Sequence, residues 1–203
     1  MNICVFGDST AWGAWDLEKG GWVNRLWLDF SKDYLDKEVD CFYNLSISGG
    51  TTETVLARLE SESKIRDAEM IIIESGGNDS GYISEPNNFQ VSPEKFENNI
   101  IKIIKLSKRI TDKVIFMGFE NIDEIKTMPV PWEKTLYYTN KNIKKYNDMM
   151  KNVCKNNKTH FIDVYGILDK TDLPDGIHPN ASGHEKIAQR VKEYLLENKI
   201  VKV

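Results

Sequence analysis

Short apolar runs alternate with amphipathic stretches along most of the chain, and this alternation limits the folds that it can adopt. Five runs are typical of β-strands because they are apolar and bounded by turn residues, and three of them are almost continuous in Ile, Val and Phe. The runs occupy residues 3–6, 39–47, 70–75, 114–119 and 160–166. Nearly continuous runs predict strands that are covered on both faces.

The stretches between these runs carry apolar side chains at helical spacing. Val23, Leu26, Trp27 and Phe30 recur at i, i+3, i+4 and i+7, so they would share one helix face. Similar stripes include Val55 and Leu59, Phe96 and Ile100, Ile143 and Tyr146, and Ile187 and Val191. Repeated strand–helix units predict an α/β fold in which about five parallel strands lie between two helix layers, a three-layer α/β/α sandwich.

Two helix starts are indicated by local sequence. Ser92, Pro93 and Glu94 offer an N-cap, a proline at the first helical position and an acidic residue in the first turn. Ser182 and Glu185 have the spacing of a capping box ahead of the last stripe. We therefore expect helices to begin at these two places.

Length and charge narrow the class of protein. A chain of 203 residues suits one domain that spans residues 1–203. The net charge of -4 and the lack of a long basic run argue against a nucleic-acid or anionic-membrane partner. No apolar segment approaches the length of a membrane span, and the short run at 3–6 leaves no room for a signal peptide.

The three cysteines, Cys4, Cys41 and Cys154, are odd in number and form no CxxC pair. Cys4 and Cys41 fall in predicted strands, which predicts buried free thiols. Free thiols favour a reducing compartment, so we expect a cytoplasmic protein.

Unusual residues follow the predicted strands. "GDST" comes after the first strand, "SGG" after the second, "GGND" after the third, and "DGIH" lies in the loop after the fifth. Because the ligand site of a parallel sheet lies past the carboxyl ends of its strands, we expect these four turns to form one site.

Two of these turns hold a possible nucleophile and its base. Ser9 needs an adjacent base to be a nucleophile, and on its own it would only cap a helix or help the turn to bind an anion. His178 follows Asp175 by three residues, so the carboxylate can bind one ring nitrogen and leave the other free to take a proton. The pair alone also fits an ordinary loop histidine or a metal-binding fragment.

The other two turns hold possible hydrogen-bond donors. Gly49 or Gly50 in "SISGGTT" can bring backbone N–H groups close to a ligand, and Asn78 in "GGND" offers two side-chain N–H groups. Such donors stabilise the negative charge that develops on a carbonyl oxygen during acyl transfer. Each glycine pair is equally compatible with a tight turn between strand and helix.

Together, "FGDST", "NLSISGGTT", "SGGND" and "DGIHPN" resemble the four sequence blocks of the SGNH hydrolase superfamily, also called GDSL esterases and lipases. The resemblance covers most of the chain, with the blocks in the right order. It implies a flavodoxin-like α/β/α fold and a serine hydrolase that lacks the GxSxG motif, which is indeed missing here. Thr10 stands where the eponymous motif has leucine, which leaves the subfamily open.

The resemblance also implies the role of each residue. Ser9 would be the nucleophile and, through its backbone N–H, one donor to the oxyanion. Gly49 and Asn78 would be the other two donors, His178 the base and Asp175 the acid that orients it. The implied activity is hydrolysis of carboxylic esters of small molecules or of acylated carbohydrates or lipids, without a metal or other cofactor.

Aromatic residues near these turns are candidates for substrate binding. The stretch 120–138 is long for a connection in this fold, and such loops often form lids or pocket walls. Trp132 and Tyr137 in this stretch, and Trp12 after the nucleophile, are therefore expected to line the pocket. With Trp15 nearby, they favour a short acyl group such as acetyl. An aromatic patch that packs on the body or on another subunit explains the stretch equally well.

Two other classes of function compete with the esterase. A metal-dependent phosphoesterase would use the Asp, Asn and His of the same turns as ligands, and a non-catalytic flavodoxin-like module would bind phosphate at helix N-termini. We expect structural roles for His184, in the first turn of the last helix, and for His160, at a strand start. Asp8 and Asp79 are expected to hold their loops by hydrogen bonds.

Overall fold

A five-stranded parallel sheet forms the centre of the computed structural model, which describes residues 1–33, 35 and 39–201. Its strands are β1 (Asn2–Gly7), β2 (Cys41–Asn44), β3 (Met70–Glu74), β5 (Val114–Met117) and β7 (His160–Ile162). Their order in the sheet is β2-β1-β3-β5-β7, with every neighbouring pair parallel. Counting these strands alone, the order is 2-1-3-4-5, as in flavodoxin. The expected fold class is thus confirmed.

Helices cover both faces of the sheet. They are α1 (Ser9–Trp12), α2 (Trp22–Phe30), α3 (Thr52–Ile65), α4 (Pro93–Ser107), α5 (Asn140–Asn156) and α6 (Ala181–Glu197). Single 3₁₀ turns lie at Asn78–Ser80 and Lys170–Asp172. No helix in the described ranges is long and apolar enough to cross a membrane.

Side chains of the strands pack in two separate hydrophobic cores, one on each face of the sheet. Ile3 and Val5 of β1 pack in one cluster with residues of α2 and α6, whereas Cys4 and Phe6 pack in the other with residues of α3, α4 and α5. This period of two is that of a strand buried on both sides. The central strands β1 and β3 are almost fully buried, so their carboxyl ends have a fixed position beneath the loops.

The two outer strands are shorter than the sequence predicts. The run at 39–47 forms only the strand Cys41–Asn44, and the run at 160–166 forms only His160–Ile162. Each of these outer strands pairs on one side only and then turns away from the sheet. The prediction that Cys41 is buried is wrong: its thiol is free but exposed, since β2 is an edge strand, whereas Cys4 on β1 is buried.

Helix starts are predicted with mixed success. Ser92 caps α4 by accepting a hydrogen bond from the Lys95 N–H, as expected. The capping box at Ser182 is wrong. The chain turns two residues earlier, and Asn180 caps α6 by accepting from the Gly183 N–H.

A short antiparallel ladder lies outside the main sheet. It joins β4 (Tyr82–Ile83) to β6 (Leu136–Tyr137), two strands that the sequence does not reveal. The ladder ties the segment after β3 to the long stretch 120–138. That stretch is also held to the loop before α6, because the Asp123 N–H donates to the Gly176 carbonyl and Lys126 Nζ donates to the Leu173 carbonyl.

Candidate active site

The turn after β1 places Ser9 at the start of α1, where it is nearly buried. Asp8 caps this helix by accepting from the Thr10 N–H at 3.0 Å, the loop-holding role that was expected. Gly7 is required by the close approach of its neighbours: a Cβ there would lie 2.4 Å from the Ala11 Cβ and 2.7 Å from the Glu74 carbonyl oxygen. The hydroxyl of Ser9 is thus held at the carboxyl edge of the sheet.

The loop before α6 brings His178 to this hydroxyl. Its Nε2 lies 2.9 Å from Ser9 Oγ, and its Nδ1 lies 2.7 Å from Asp175 Oδ2. Because Asp175 accepts a hydrogen bond from the Nδ1–H of His178, the lone pair of Nε2 faces the serine. The structure therefore brings together three residues that the sequence selected, across 169 positions between Ser9 and His178.

The Asp175 carboxylate is fixed by several donors. Its Oδ1 accepts from the backbone N–H groups of Ile177, at 3.0 Å, and His178, at 2.8 Å. Burial alone would raise the pKa of Asp175, but the hydrogen bonds from His178 and these two N–H groups outweigh it and hold the pKa well below its usual range. Asp175 is therefore ionised wherever the protein is folded near neutral pH.

Trp15 provides a further donor that the sequence does not reveal. Its indole Nε1–H donates to Asp175 Oδ2 at 2.8 Å, the oxygen that also accepts from the His178 ring. Its ring meets that of His178 edge-on, with centroids 6.0 Å apart. Trp15 has a φ of +66°, in a region that non-glycine residues seldom adopt. Neither this backbone angle nor a contact between residues 160 positions apart can be predicted from a local sequence pattern.

The second and third turns meet at Asn78. Its Nδ2 donates to the Gly50 carbonyl at 3.0 Å, and its Oδ1 accepts from the Tyr138 hydroxyl at 2.7 Å. Gln90 Nε2 in turn donates to the Asn78 carbonyl and to Tyr138 Oη. These bonds fix the amide so that one N–H of Nδ2 remains for a ligand. Gly49 has a φ of +74°, which favours glycine in this turn.

Asp79 holds the same turn against α3. Its carboxylate accepts from the backbone N–H of Thr52, at 3.0 Å, and from the Thr52 hydroxyl. Asn99 Nδ2 completes this buried group by donating to Thr52 Oγ1. Asp79 thus has the loop-holding contacts expected from the sequence, and burial raises its pKa to about 6.

The aromatic candidates lie in different places. Trp12 is on α1 and about half exposed, and the Trp132 ring lies 5.3 Å from that of His178. Tyr137 instead stacks on Tyr82 in the β4–β6 ladder, with centroids 5.2 Å apart. Its neighbour Tyr138 is the tyrosine that contacts Asn78.

The remaining histidines contact structural partners. His184 is fully buried, accepts from the Trp22 N–H through Nδ1, and donates from Nε2 to the Ala14 carbonyl at 3.0 Å. Burial lowers its pKa. His160 is exposed on the edge strand β7, beside the Tyr194 hydroxyl. In the part of the chain that the structure describes, no group of three or more His, Cys, Asp or Glu could hold a metal ion.

Three buried carboxyl groups lie behind the nucleophile, and the sequence does not reveal that they meet there. Asp8, Glu74 and Glu120 line a cavity of about 40 Å³ that also borders Ser9 and Asn78. Burial raises the pKa of Asp8 to about 6 and that of Glu120 to about 8, and it raises the pKa of Glu74 well above its usual value. The site thus has one carboxylate whose pKa is well below its usual range and a separate group of three carboxyls whose pKa values are raised.

The fold and this edge of the sheet define a class: an α/β protein with a serine, a histidine and an aspartate hydrogen-bonded in series. A family model described as the GDSL-like lipase/acylhydrolase family matches residues 5–186. The chain belongs to this family, which confirms the resemblance seen in the four sequence blocks. The expected class of enzyme, a hydrolase that acts on ester bonds, is confirmed with it.

The individual proteins that the chain resembles share low sequence identity with it. The chain is 26% identical over 214 residues to the uncharacterized protein YpmR of Bacillus subtilis, covering 93% of this chain and 79% of that protein. A lipase/acylhydrolase from Enterococcus faecalis superposes with a TM-score of 0.76 at 21% identity, over 97% of this chain and 96% of the other. A catalytic mutant of Axe2, an acetylxylan esterase from Geobacillus stearothermophilus, gives 0.75 at 18% identity, over 97% and 93%. At these identities the two structures support the fold.

Proposed function

We propose that the protein is a serine esterase that hydrolyses carboxylic esters of short acyl groups through Ser9, His178 and Asp175. One observation carries this proposal: Ser9 Oγ, the His178 ring and Asp175 form a continuous hydrogen-bonded series, with separations of 2.9 and 2.7 Å. A serine with such a base and orienting acid is an activated nucleophile.

The chemistry follows from these contacts. His178 takes the Ser9 proton as the hydroxyl oxygen bonds to the ester carbonyl, and the backbone N–H groups of Ser9 and Gly49 and the free N–H of Asn78 receive the oxyanion. His178 then gives the proton to the leaving alcohol, and water releases the acid from the acyl-enzyme by the same steps in reverse order.

The size of the cavity beside Ser9 favours a short acyl group. Its volume is about 40 Å³, and one water needs roughly 10–15 Å³ by this measure. A cavity of this size supports acyl groups of acetyl or propionyl size over long fatty acyl chains. Small-molecule or acylated carbohydrate or lipid esters remain the proposed substrates, with Trp12, Trp132 and Tyr137 as candidate contacts. We further propose a single domain and a cytoplasmic location. The free thiols of Cys4, Cys41 and Cys154 support the location, because free thiols favour a reducing compartment.

The test is replacement of the nucleophile. With p-nitrophenyl acetate, Ser9→Ala is expected to lower kcat by roughly 10⁴- to 10⁶-fold, because it removes the hydroxyl that His178 contacts. A fluorophosphonate probe should label the wild-type protein once, at Ser9, and should not label the variant. Ser61→Ala, on the exposed face of α3, is the matched control. Full activity in a folded Ser9→Ala protein, or loss of activity with EDTA, would contradict the proposal.

A further inference from the structure

We propose that the cavity formed by Asp8, Glu74 and Glu120 beside Ser9 binds the acyl group of the substrate and selects small aminoacyl groups, whose protonated amine the three carboxyls receive. This inference rests on the proposed esterase function and names its substrate class. The favoured substrates are esters of glycyl or alanyl size, in preference to plain aliphatic esters of the same size.

The position of the cavity assigns it to the acyl side of the ester. His178 has to protonate the leaving alcohol, so the alcohol lies on the side of the His178 ring. Ser9 and Asn78 border the cavity, but none of His178, Trp15 and Trp132 is among the described residues that line it. The substituent on the carbonyl carbon, which points away from the leaving group, therefore enters the cavity.

One carboxyl oxygen in the lining of the cavity lacks a hydrogen-bond partner among the described residues. Glu120 is 9% exposed, and its Oε1 is buried without a hydrogen-bond partner among the described residues. Glu74 and Asp8 are 2% and 5% exposed, and each accepts a backbone N–H from α1. No lysine or arginine is among the described residues that line the cavity. A buried polar atom of this kind needs a donor, and an aliphatic acyl group cannot supply one.

A protonated amine fits this lining better than a neutral donor does. An ammonium group has three N–H donors and a positive charge that interacts favourably with every carboxyl around it, whereas a hydroxyl has one donor and no charge. Apolar side chains form another part of the wall and suit the short carbon chain; they include Phe119, Ile122, Ile143 and Ile177.

The reaction balances without a further reactant. Ser9 Oγ bonds to the aminoacyl carbonyl carbon, the bond from that carbon to the alcohol oxygen breaks, and His178 moves the serine proton to the alcohol. Water then replaces Ser9 and releases the free amino acid. The amine takes no part in these bonds and serves only to hold the acyl group.

Three esters of one alcohol test the inference. The glycyl, glycolyl and propionyl phenyl esters differ only in an NH₃⁺, OH or CH₃ group at the same position. We expect kcat/KM, divided by the rate of hydroxide hydrolysis of each ester, to be at least about tenfold higher for the glycyl ester than for the propionyl ester, since one charge-assisted hydrogen bond is worth about that factor. A preference for glycolyl over glycyl, or for propionyl, would overturn the inference.

Glu120→Gln tests the carboxyl group itself. The amide keeps the shape of the side chain but cannot ionise to pair with the ammonium group, so the glycyl-to-propionyl ratio should fall at least about fivefold. Glu133→Gln, an exposed change of the same charge in the same stretch, should leave the ratio as it is. A ratio that does not change in Glu120→Gln counts against the inference, and the wild-type comparison stands even if this variant fails to fold.

These outcomes separate the inference from the proposed function. If the propionyl ester is hydrolysed by a Ser9-dependent reaction and the glycyl ester is not preferred, the esterase stands and the aminoacyl selection is wrong. If no ester is hydrolysed and the fluorophosphonate probe does not label Ser9, the esterase itself is wrong.

Discussion

Two regions at the same edge of the sheet hold carboxyl groups in opposite ways. Asp175 accepts hydrogen bonds from Trp15, from the His178 ring and from two backbone N–H groups. Glu120, in the cavity behind Ser9, has an oxygen with no partner among the described residues and lies near other carboxyls. The pKa of Asp175 is accordingly well below its usual range, whereas burial raises that of Glu120 to about 8.

The difference shows what decides the charge of a carboxyl group here. Both groups are largely removed from water, which disfavours ionisation. Converging N–H donors reverse that effect at Asp175, whereas the one backbone hydrogen bond to Glu120 does not offset its burial. The proposed triad therefore keeps a permanent negative charge next to its base, and the cavity keeps groups whose charge depends on what occupies it.

Of the changes that test this comparison, removing the charge at Asp175 has the largest expected effect. Asp175→Asn leaves a neutral amide that can donate to Nδ1 and so favours the wrong tautomer of His178. We expect kcat for p-nitrophenyl acetate to fall by about 10³- to 10⁴-fold, the scale seen when such an acid is changed to its amide. Steady-state kinetics on protein with unchanged circular dichroism is the measurement. A loss below tenfold would mean that donors around Asp175 serve the loop and not the base.

The contrast between the two regions also separates what the sequence predicts from what it cannot. Ser9, Asp175 and His178 lie in short motifs at strand ends, and a parallel sheet brings strand ends to one edge. The central strands can also be predicted from the sequence, because they are apolar throughout. Edge strands are harder to predict, since they pair on one side only. This shortens them and exposes residues such as Cys41 on β2.

Contacts that depend on loop paths leave no such signal. Tyr137 and Tyr138 are adjacent, and side chains of adjacent extended residues point in opposite directions. The sequence offers no reason to expect that Tyr138 reaches Asn78 while Tyr137 stacks on Tyr82. Glu120 likewise follows β5 as one more residue of a long connection. Its burial depends on how residues 120–138 return over the sheet.

Trp15→Phe is expected to have a smaller effect on the same carboxylate. The phenyl ring keeps much of the packing but loses the indole donor, and Asp175 retains its other three hydrogen bonds. We expect kcat to fall about tenfold, the equivalent of one hydrogen bond to a charged group. Steady-state kinetics with p-nitrophenyl acetate is the measurement.

Trp27→Phe, on the exposed side of α2, is the matched control for this change. It removes an indole of similar exposure that lies outside the site. Equal activity of the Trp15→Phe and wild-type proteins would show that the backbone hydrogen bonds suffice to hold Asp175.

The smallest expected effect concerns stability and tests the other region. Below the ordinary glutamate pKa of 4.5, Glu120 is protonated in both the folded and the unfolded chain. Between that value and about 8 the unfolded chain loses a proton that the folded protein keeps, so Glu120 lowers the stability of the folded state as the pH rises. Glu120→Gln has no such proton, so its stability relative to wild type should increase from pH 5 to pH 8, by about 1 kcal/mol or more.

Urea unfolding of wild type and Glu120→Gln at both pH values measures this difference, and Asp175→Asn provides the opposite case. The folded pKa of Asp175 is depressed, so its contribution to stability is present above its ordinary pKa and is lost only as the pH falls through the lower, folded value. Between pH 5 and pH 8 the stability difference of Asp175→Asn should therefore stay constant while that of Glu120→Gln changes. Parallel behaviour of the two variants would mean that the cavity carboxyls are ionised, with a cation or donor already holding them.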